Sequence, residues 1–276
     1  KHTVDESYEP YVTIMMPVKN EEFTIKEKLE NCFKLDYPKA KIQLLVMDSS
    51  SDDKTQEIVE SFKNKWVELQ IVPHKWKAYA MQVGINEYAK WEIIISTDAN
   101  AYFKENVVRE VVKHFKDRNV WWVSGAMLQL DESGTTESKW GDLYWKIEKF
   151  LRTYEAKFHS CISMNWEITC FRKDIPKNKK WYFKGDPDDF DLSLFIVKNW
   201  YRIIYEDRAQ VWEKAPDNAS DVEKQKVRII VQTISAFTHH FSVLFKRRFW
   251  FILFSHKFLA LLSPLLLIWI YVTNLF

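Results

Sequence analysis

The chain has 276 residues, 28% of them charged, and its 40 lysines and arginines nearly balance its 38 aspartates and glutamates. This length and composition fit one large or two modest folded domains, and they exclude a disordered or collagen-like chain. Because the charge is balanced, we expect no nucleic-acid partner bound through a basic surface. The three cysteines form no CxxC pair and indicate reduced, cytosolic thiols rather than a disulfide or zinc framework.

Glycine is scarce and tryptophan is abundant in this chain. It contains five glycines and 13 tryptophans, whereas an ordinary glycine usage of about 7% would give roughly 19 glycines. An α/β protein needs glycine where the backbone has a positive φ or passes close to a ligand. Either the fold avoids such positions, or other residues stand at them.

The first half of the chain alternates predicted strands and helices. Continuously apolar, β-rich runs predict strands at residues 11–16, 42–47, 67–72, 92–96 and 120–128. Helices are predicted between them at 22–33, 54–63, 78–88 and 106–115, and Asp52 or Asp53 is the candidate N-cap of the second. Helices that alternate with fully apolar strands predict an α/β fold with a mostly parallel sheet and helices on both faces.

The second half is less regular. Helices are predicted at residues 140–154, 192–199 and 221–245, a short strand at 203–205 and a lysine-rich loop at 173–184. No segment repeats at a fixed period, so a repeat architecture is not expected.

The C-terminal segment differs in composition from the rest of the chain. Three basic residues at 246–248 precede an apolar run, in which residues 258–276 carry no formal charge and are long enough to cross a bilayer as a helix. Residues 249–257 predict an interfacial helix. The alternative is a buried core helix, but the run is longer than a core helix needs. The basic residues favour a cytoplasmic domain, and the ends of the sequence lead us to expect a fragment.

Polar and acidic residues follow three predicted strands at their carboxyl ends. Lys19 and Glu21 follow the first strand, Asp48 the second, and Asp98 and Asn100 the fourth. Ligands of parallel α/β sheets bind beyond these ends, where gathered carboxylates repel one another unless a cation or a donor-rich ligand lies between them. A nucleoside diphosphate with Mg²⁺ or Mn²⁺ would supply both. A further acidic run at 186–191 is equally consistent with a solvated helix N-terminus.

The motifs of the chain occur in the order found in a known family. They are VTIMMPVKNEE, LLVMDSSSDDKTQEIV, KAYAMQVGI, EIIISTDANA, DDFDLSL and QKVR, between residues 12 and 228. Together they resemble the motifs of family 2 inverting glycosyltransferases, which have the GT-A fold, and look closest to the membrane-attached branch with cellulose, hyaluronan and poly-N-acetylglucosamine synthases. The resemblance implies a GT-A domain at 1–245, with a nucleotide-binding half at about 11–130 and an acceptor half at about 131–245. Interfacial and transmembrane helices would follow at 246–276.

The resemblance also assigns roles to residues of this chain. Asp189 resembles the catalytic base, Asp48 the acid that recognises the base of the nucleotide, and Asp98 with Asn100 the DxD element that binds ribose and metal. The residues that would contact the nucleotide-sugar are Pro17, Lys19, Glu21, Asp48, Lys77, Asp98, Asn100, Asp188, Gln225 and Arg228. Asn100 replaces the second acid of DxD, which removes a charge but keeps an oxygen ligand. Ile229 replaces the Trp of the QxxRW element, which argues against processive polymer synthesis.

The function implied by the resemblance is that of an enzyme at the cell membrane with its catalytic domain in the cytoplasm. It would move a sugar, with inversion, from a UDP-linked nucleotide-sugar to the hydroxyl of a glycan or lipid-linked acceptor, with Mg²⁺ or Mn²⁺ as cofactor. Two alternatives remain open. One is sugar transfer to a polyprenyl phosphate, and the other is a catalytically silent membrane protein that only binds nucleotide-sugars.

Several tryptophans stand where this family commonly has glycine. They are Trp76, Trp91, Trp121, Trp122, Trp166 and Trp200. An indole in place of glycine would overpack or strain its site. We therefore hypothesise that the codons at these positions are UGA, decoded as glycine in the source cell and written as tryptophan on translation.

Overall fold

The computed structural model describes residues 2–75, 77–129, 136–162, 164, 167–173, 189–213, 236, 238, 240, 242–243, 247–255, 262, 266 and 269–274. In this part of the chain the strands are β1 (Val12–Val18), β2 (Ile42–Asp48), β3 (Val67–Ile71), β4 (Ile93–Ser96), β5 (Ala101–Phe103), β6 (Val120–Gln129), β7 (Thr169–Arg172) and β8 (Arg202–Glu213). They form one sheet in the order β3-β2-β1-β4-β7-β6-β8-β5.

The helices connect these strands. Those in the described ranges are α1 (Ile25–Phe33), α2 (Thr55–Glu60), α3 (Lys77–Val83), α4 (Val107–Val112), α5 (Thr136–Phe158), α6 (Asp189–Lys198) and α7 (Arg247–Leu253). A π-helical turn, Gly84–Tyr88, extends α3, and a 3-10 turn, Lys113–Lys116, extends α4. The helices predicted in the first half are therefore confirmed.

Both faces of the sheet are covered, as continuously apolar strands predict. Every residue of β1 is buried, and successive side chains of a strand point to opposite faces. Met15 packs with apolar residues of α3, α6 and α7, whereas Ile14 and Met16 pack with those of α1, α2 and α4. Burial of apolar area on both faces, at about 25 cal/mol per Å², stabilises a strand that has no polar face.

The prediction of a mostly parallel sheet holds for the first half and for the pair β6 and β8, which also run parallel. Strands β3, β2, β1 and β4 pair in parallel, but β7 runs antiparallel to both β4 and β6, and β5 runs antiparallel to β8. The sheet is therefore mixed. The sequence does not predict β5 or β7, because runs of three and four residues are too short to show a period.

The C-terminal segment is described only in part. Helix α7 overlaps the residues predicted as interfacial, 249–257, and begins two residues before them, and residues 269–273 form a helical turn. Among the residues that the structure describes, no helix is both long and apolar enough to cross a membrane. Most of the helix predicted at 221–245 and of the loop predicted at 173–184 lies outside the described residues, as do the central residues of 258–276.

Trp200 occupies a position that suits glycine. It follows α6 with a φ of 67°, its N–H donates to Val197 O at 3.0 Å, and the N–H of Tyr201 donates to Ile196 O at 3.2 Å. This is the Schellman arrangement, whose left-handed residue is usually glycine. A left-handed conformation costs a residue with a Cβ about 1–2 kcal/mol. Because Trp200 is 77% exposed, packing offsets little of that strain.

Two further tryptophans lie at backbone irregularities. Trp66 follows the 3-10 turn Lys63–Lys65 with a φ of 63°, a position that the sequence does not single out. Trp121 is the extra residue of a bulge in β6, and among the described residues its buried indole Nε1 has no hydrogen-bond partner. The backbone of Trp66 therefore suits glycine, whereas Trp121 lacks a positive φ and its ring lies against Trp122 and Tyr201.

Two other tryptophans at positions where the family commonly has glycine are accommodated by stacking on neighbouring rings. Trp91 stacks on Tyr11 with ring centroids 4.4 Å apart, and Trp122 stacks on Phe171 at 4.7 Å, so packing accommodates both indoles. Trp76 and Trp166 lie outside the described residues. The fold itself does use glycine where space demands it, since a Cβ at Gly125 would approach Ala209 O to 2.4 Å.

Candidate active site

Polar loops from several strands meet in one cleft. The cleft, of about 320 Å³, lies beyond the carboxyl ends of β1, β2 and β4 and is lined by Pro17, Val18, Lys19, Glu21, Ser49, His74, Lys75, Lys77, Asp98, Ala99 and Asn100. Pro17, Lys19, Glu21, Lys77, Asp98 and Asn100 are residues that the sequence predicts as nucleotide contacts. His74 and Lys75 are not predicted, because they follow the edge strand β3 and carry no motif of their own.

Two other hollows in the described part of the chain have larger volumes than this cleft. A hollow of about 570 Å³ lies around Tyr11, Lys41 and Trp91, near the amino ends of β1 and β4. Another, of about 770 Å³, lies around His114 and Glu206. Neither is lined by a residue predicted as a site residue, so the chemistry of the lining points to the smaller cleft.

Lys19 ties the loop after β1 to the loop after β2. Its Nζ donates to Ser50 O at 2.6 Å and to an Asp52 carboxylate oxygen at 2.7 Å. The Asn20 N–H donates to Ser51 Oγ at 2.9 Å, and the Asp52 N–H donates to Asn20 Oδ1 at 3.0 Å. Asn20 and Ser50 both have a positive φ. They lie in the loop after β1 and the loop after β2, which these hydrogen bonds join.

Asp53 is one of the two candidate N-caps of α2, and its carboxylate accepts a hydrogen bond from the first residue of this helix. Its Oδ1 accepts from the N–H of Thr55 at 2.9 Å, and its Oδ2 accepts from the N–H of Glu22 at 3.1 Å. The residue that precedes α2 is Lys54, whose side chain makes no capping bond. Asp52 is therefore available to Lys19, while Asp53 fixes α2 to the first loop.

Asp48 is fully buried at the end of β2 and is not among the residues that line the cleft. Its carboxylate accepts from the Ser51 N–H at 2.8 Å, from Ser51 Oγ at 2.6 Å and from Gln56 Nε2 at 2.8 Å. The role of Asp48 in recognising the base of the nucleotide therefore stays a prediction. In that role the Asp48 carboxylate would exchange a hydrogen bond from Ser51 or Gln56 for one from the nucleotide.

Lys77 and Asp98 form an ion pair in the cleft. Lys77 is the first residue of α3, Asp98 lies in the turn between β4 and β5, and Nζ is 2.5 Å from Oδ1. Two predicted nucleotide contacts from distant parts of the sequence therefore touch each other directly.

Two glutamates missed by the sequence lie near Asp98. Burial raises the pKa of Glu167, and the Asp98 carboxylate raises it further. Burial also raises the pKa of Glu213 to about 7, and Glu167 and Asp98 add to this shift. Glu213 ends β8, opposite Ala101 of β5, and it is missed because the sequence predicts only residues 203–205 of that long strand. The crowded carboxylates favour a cation at this edge.

The residues present fit a divalent metal that is shared with a phosphate ligand. Asp98 and Asn100 offer oxygen donors on one turn, and both line the cleft. Within the described ranges, no group of three or more His, Cys, Asp or Glu residues could hold a metal alone. Mg²⁺ commonly takes one or two protein oxygens and completes its shell with substrate phosphates and water, which is the donor set available here.

The remaining predicted site residues are described little or not at all. Asp189 is the first residue of α6, but its side chain lies outside the described part. Asp188, Gln225 and Arg228 lie outside the described residues. Asp191, in the first turn of α6, pairs with His240 at 3.0 Å, which ties the start of this helix to the segment that follows the undescribed region.

Two family models match the chain. The model of Glycosyl transferase family 2 matches residues 13–172, more than half of the chain. That of Glycosyl transferase family group 2 matches residues 93–276. The two matches overlap across the turn that carries Asp98 and Asn100.

Curated relatives show the same similarity at low identity. The poly-beta-1,6-N-acetyl-D-glucosamine synthase of Staphylococcus epidermidis is 24% identical over 224 residues, which cover 79% of this chain and 53% of the relative. The probable glycosyltransferase YdaM of Bacillus subtilis is 25% identical over 234 residues, which cover 79% of this chain and 54% of the relative. The chain spans about half the length of these curated relatives.

Solved structures share the fold. The mannosyltransferase PcManGT from Pyrobaculum calidifontis, in complex with GDP-Man and Mn²⁺, aligns with a TM-score of 0.72 and 25% identity over 86% of this chain and 66% of that one. TarS 1-349 of S. aureus, in complex with UDP-GlcNAc, aligns with a TM-score of 0.57 and 19% identity over 92% of this chain and 75% of that one. With the family models, these similarities show that the chain has the GT-A fold and belongs to family 2 of the glycosyltransferases.

Proposed function

We propose that the protein transfers a sugar from a nucleotide-diphosphate sugar to the hydroxyl of a glycan or lipid-linked acceptor, in one inverting displacement. The observation that carries this proposal is the convergence of Lys19, Lys77, Asp98 and Asn100 on one cleft at the carboxyl edge of the sheet. The ligands of the similar structures support it, since PcManGT was solved with GDP-Man and Mn²⁺ and TarS with UDP-GlcNAc.

The lysines of the cleft suit a diphosphate. Lys19, Lys75 and Lys77 line the same space, and charge-assisted hydrogen bonds to phosphate are about twice as strong as neutral ones. Lys77 is paired with Asp98 in this structure. When a donor binds, Lys77 would turn to a phosphate oxygen and leave the Asp98 carboxylate available.

Asp98 and Asn100 would hold Mg²⁺ or Mn²⁺, which supplies Lewis-acid stabilisation of the negative charge on the leaving diphosphate. Because Asn100 has no charge, Asp98 is the only anionic ligand that this turn offers. The metal site therefore depends on releasing Asp98 from Lys77.

Asp189 would act as the general base. Its carboxylate would accept the proton of the acceptor hydroxyl while the hydroxyl oxygen bonds to the anomeric carbon, and the bond to the diphosphate would break with its electron pair. General-base catalysis of this kind contributes about 10²–10⁴-fold. A single displacement inverts the anomeric centre and requires no nucleophilic side chain of the protein.

Attachment to a membrane, with the domain on its cytoplasmic side, is the second part of the proposal. Helix α5 exposes more than half of each of three aromatic side chains, Phe150, Tyr154 and Phe158. Phe158 contacts Phe251 of α7 at a centroid distance of 6.4 Å, so the two helices form one aromatic surface. Lys157 lies beside Tyr154, and aromatic side chains with flanking lysines suit an anionic lipid surface.

A donor screen tests the proposed activity. The full chain is incubated with UDP-Glc, UDP-GlcNAc or GDP-Man, with Mn²⁺ or Mg²⁺ and with a panel of glycan acceptors, and the released nucleoside diphosphate is measured with and without a polyprenyl phosphate. We expect release from a UDP-linked donor that chelation of the metal abolishes. Nucleotide binding without release would support the silent binder instead, and release only with polyprenyl phosphate would support that transferase. The absence of both binding and release with every donor would contradict the proposal.

A further inference from the structure

A buried lysine lies against the turn that carries Asp98 and Asn100. Lys28, on α1, is fully buried. Its Nζ donates hydrogen bonds to Thr97 Oγ1 at 3.0 Å and to Ala101 O. Thr97 precedes the turn and Ala101 follows it, so one ammonium group joins the two ends of the turn.

Neighbouring contacts fix the same turn from both sides. Asn31, one helical turn after Lys28, donates through Nδ2 to Phe103 O and accepts from the Phe103 N–H, both at 2.8 Å. On the other side, the Thr97 hydroxyl donates to Glu167 O at 3.0 Å. Helix α1 thereby holds β5 and the turn before it in one position relative to the sheet.

The environment of Lys28 is unusual for a buried ammonium. Within the described part of the chain, its hydrogen bonds go to uncharged oxygens, whereas buried Lys113 pairs with the carboxylates of Glu110 and Glu206. The ammonium of Lys28 also lies 3.6 Å from the centroid of the Phe103 ring. Apolar residues in place of buried charges are often neutral or stabilising. Lys28 differs from an apolar residue in the two hydrogen bonds that it donates to the ends of the turn.

Burial lowers the pKa of Lys28 to about 8, and Cys32 and the Asp98 carboxylate oppose this shift. A charged donor forms stronger hydrogen bonds than a neutral one. The ammonium can therefore hold a hydroxyl and a carbonyl that the turn would otherwise leave free to move.

We propose that Lys28 is a positioning residue that sets the geometry of the metal-binding turn by joining Thr97 to Ala101. The inference rests on the proposed function, in which Asp98 and Asn100 hold the divalent metal. Lys28 contacts neither the metal nor the donor and acts through the backbone and hydroxyl that flank the ligands. Outer-shell residues that orient metal ligands typically change metal affinity by about 10–100-fold when they are replaced.

The test measures Mn²⁺ binding by the full chain in the presence of UDP and, separately, GDP, together with thermal unfolding. Lys28→Met keeps the length of the side chain and removes the ammonium. We expect its dissociation constant for Mn²⁺ to rise about 10–100-fold, while the unfolding midpoint falls no further than that of Lys113→Met. Lys113→Met is the matched control, because it removes another buried lysine that is not at the cleft. It should lower the unfolding midpoint and leave Mn²⁺ affinity unchanged.

A second pair of variants tests the contact itself. Thr97→Val removes the hydroxyl that accepts from Lys28 and should weaken Mn²⁺ binding in the same direction, while Thr97→Ser should retain wild-type affinity. If Lys28 acts through Thr97, the variant with both Lys28→Met and Thr97→Val should lose less Mn²⁺-binding free energy than the sum of the losses in the two single variants. Should Lys28→Met fail to fold, wild-type affinity in Thr97→Val would overturn the inference.

Asp98→Asn separates the inference from the proposed function. Wild-type Mn²⁺ affinity in Lys28→Met, with binding lost in Asp98→Asn, would overturn the role of Lys28 and leave the metal site in place. Wild-type affinity in Asp98→Asn would overturn the metal site at this turn, and the role of Lys28 with it.

Discussion

Lys77 and Asp98 face each other across the cleft, with Nζ and Oδ1 2.5 Å apart. Their side chains are 42% and 29% exposed, and exposed ion pairs contribute only about 0–1 kcal/mol to stability. The pair therefore matters more for binding than for folding. Each residue neutralises the other in this structure, and in the proposed function a diphosphate would take Lys77 and a metal would take Asp98.

Lys77→Met should therefore impair the use of the donor with little effect on stability. A hydrogen bond to a charged group is worth about 1.5–3 kcal/mol, so we expect kcat/KM for the nucleotide-sugar to fall about 10–100-fold. The matched control is Lys90→Met, which removes an exposed lysine that pairs with Glu68 at 2.6 Å outside the cleft. Equal losses in the two variants would show that Lys77 has no specific role in donor binding.

The stability of the domain should depend on pH through Glu206. Burial raises the pKa of Glu206, but hydrogen bonds from His114 and Lys113 outweigh it and hold the pKa well below the ordinary 4.5. An acid whose folded pKa is lowered contributes stability above its unfolded pKa and loses it as the pH falls toward the folded value. Urea unfolding should therefore show a free energy of unfolding that declines below about pH 4.5.

Glu206→Gln tests this dependence. At neutral pH the variant should be about 1–3 kcal/mol less stable, because the buried His114 and Lys113 lose their charged partner. Its stability should then decline less steeply with acid than that of the wild type. Parallel curves for the two proteins between about pH 5 and pH 2.5 would refute the assignment.

Replacing tryptophan with glycine should stabilise the protein where the backbone is left-handed and the side chain is exposed. Trp200→Gly should raise the free energy of unfolding by about 1 kcal/mol, since the strain of a Cβ at positive φ is removed from an exposed residue. Trp212→Gly is the control, because this tryptophan lies in β8 and stacks on Tyr102; it should lower stability. Loss of stability in Trp200→Gly would contradict the prediction.

The origin of these tryptophans can be measured directly. Peptide mass mapping of the protein from its native source distinguishes tryptophan from glycine at positions 66 and 200. Glycine masses at both positions would support decoding of UGA as glycine, whereas tryptophan masses would exclude it.

The aromatic surface of α5 and α7 should lie at a lipid interface. A fluorophore on Tyr154→Cys should be quenched by brominated phospholipids when the full chain is reconstituted into vesicles that contain anionic lipid, because interfacial helices sit about 5–10 Å deep. Phe23→Cys is the matched control, an aromatic residue that is 91% exposed and lies two residues before α1. The native cysteines are buried and should not compete for the label. Equal quenching at both sites would contradict the proposed orientation.

The fold was predictable where the chain repeats one simple pattern. In β1, β2 and β4 every residue is buried, so a continuous apolar run identifies a strand covered on both faces. The short strands β5 and β7 lack that signal, and their antiparallel pairing depends on contacts distant in sequence. The mixed second half of the sheet therefore could not be derived from local pattern alone.

The cleft was predictable for a related reason. Residues that follow neighbouring parallel strands must meet at one edge, and Lys19 and Asp98 do so. Lys28 was not predictable, because a lysine on an amphipathic helix is expected on the solvated side, and only the packing of α1 against β5 buries it. Glu213 was hidden by the unpredicted length of β8.

The most direct test of the proposed transfer compares wild type with Asp189→Asn in two measurements on the same full-length preparation. One is nucleotide affinity in the presence of Mn²⁺, and the other is the rate of nucleoside diphosphate release from the preferred donor. We expect the variant to bind the nucleotide with near wild-type affinity and to lose about 10²–10⁴-fold in rate. Release at the wild-type rate would contradict the assignment of Asp189 as the base that drives transfer at this cleft.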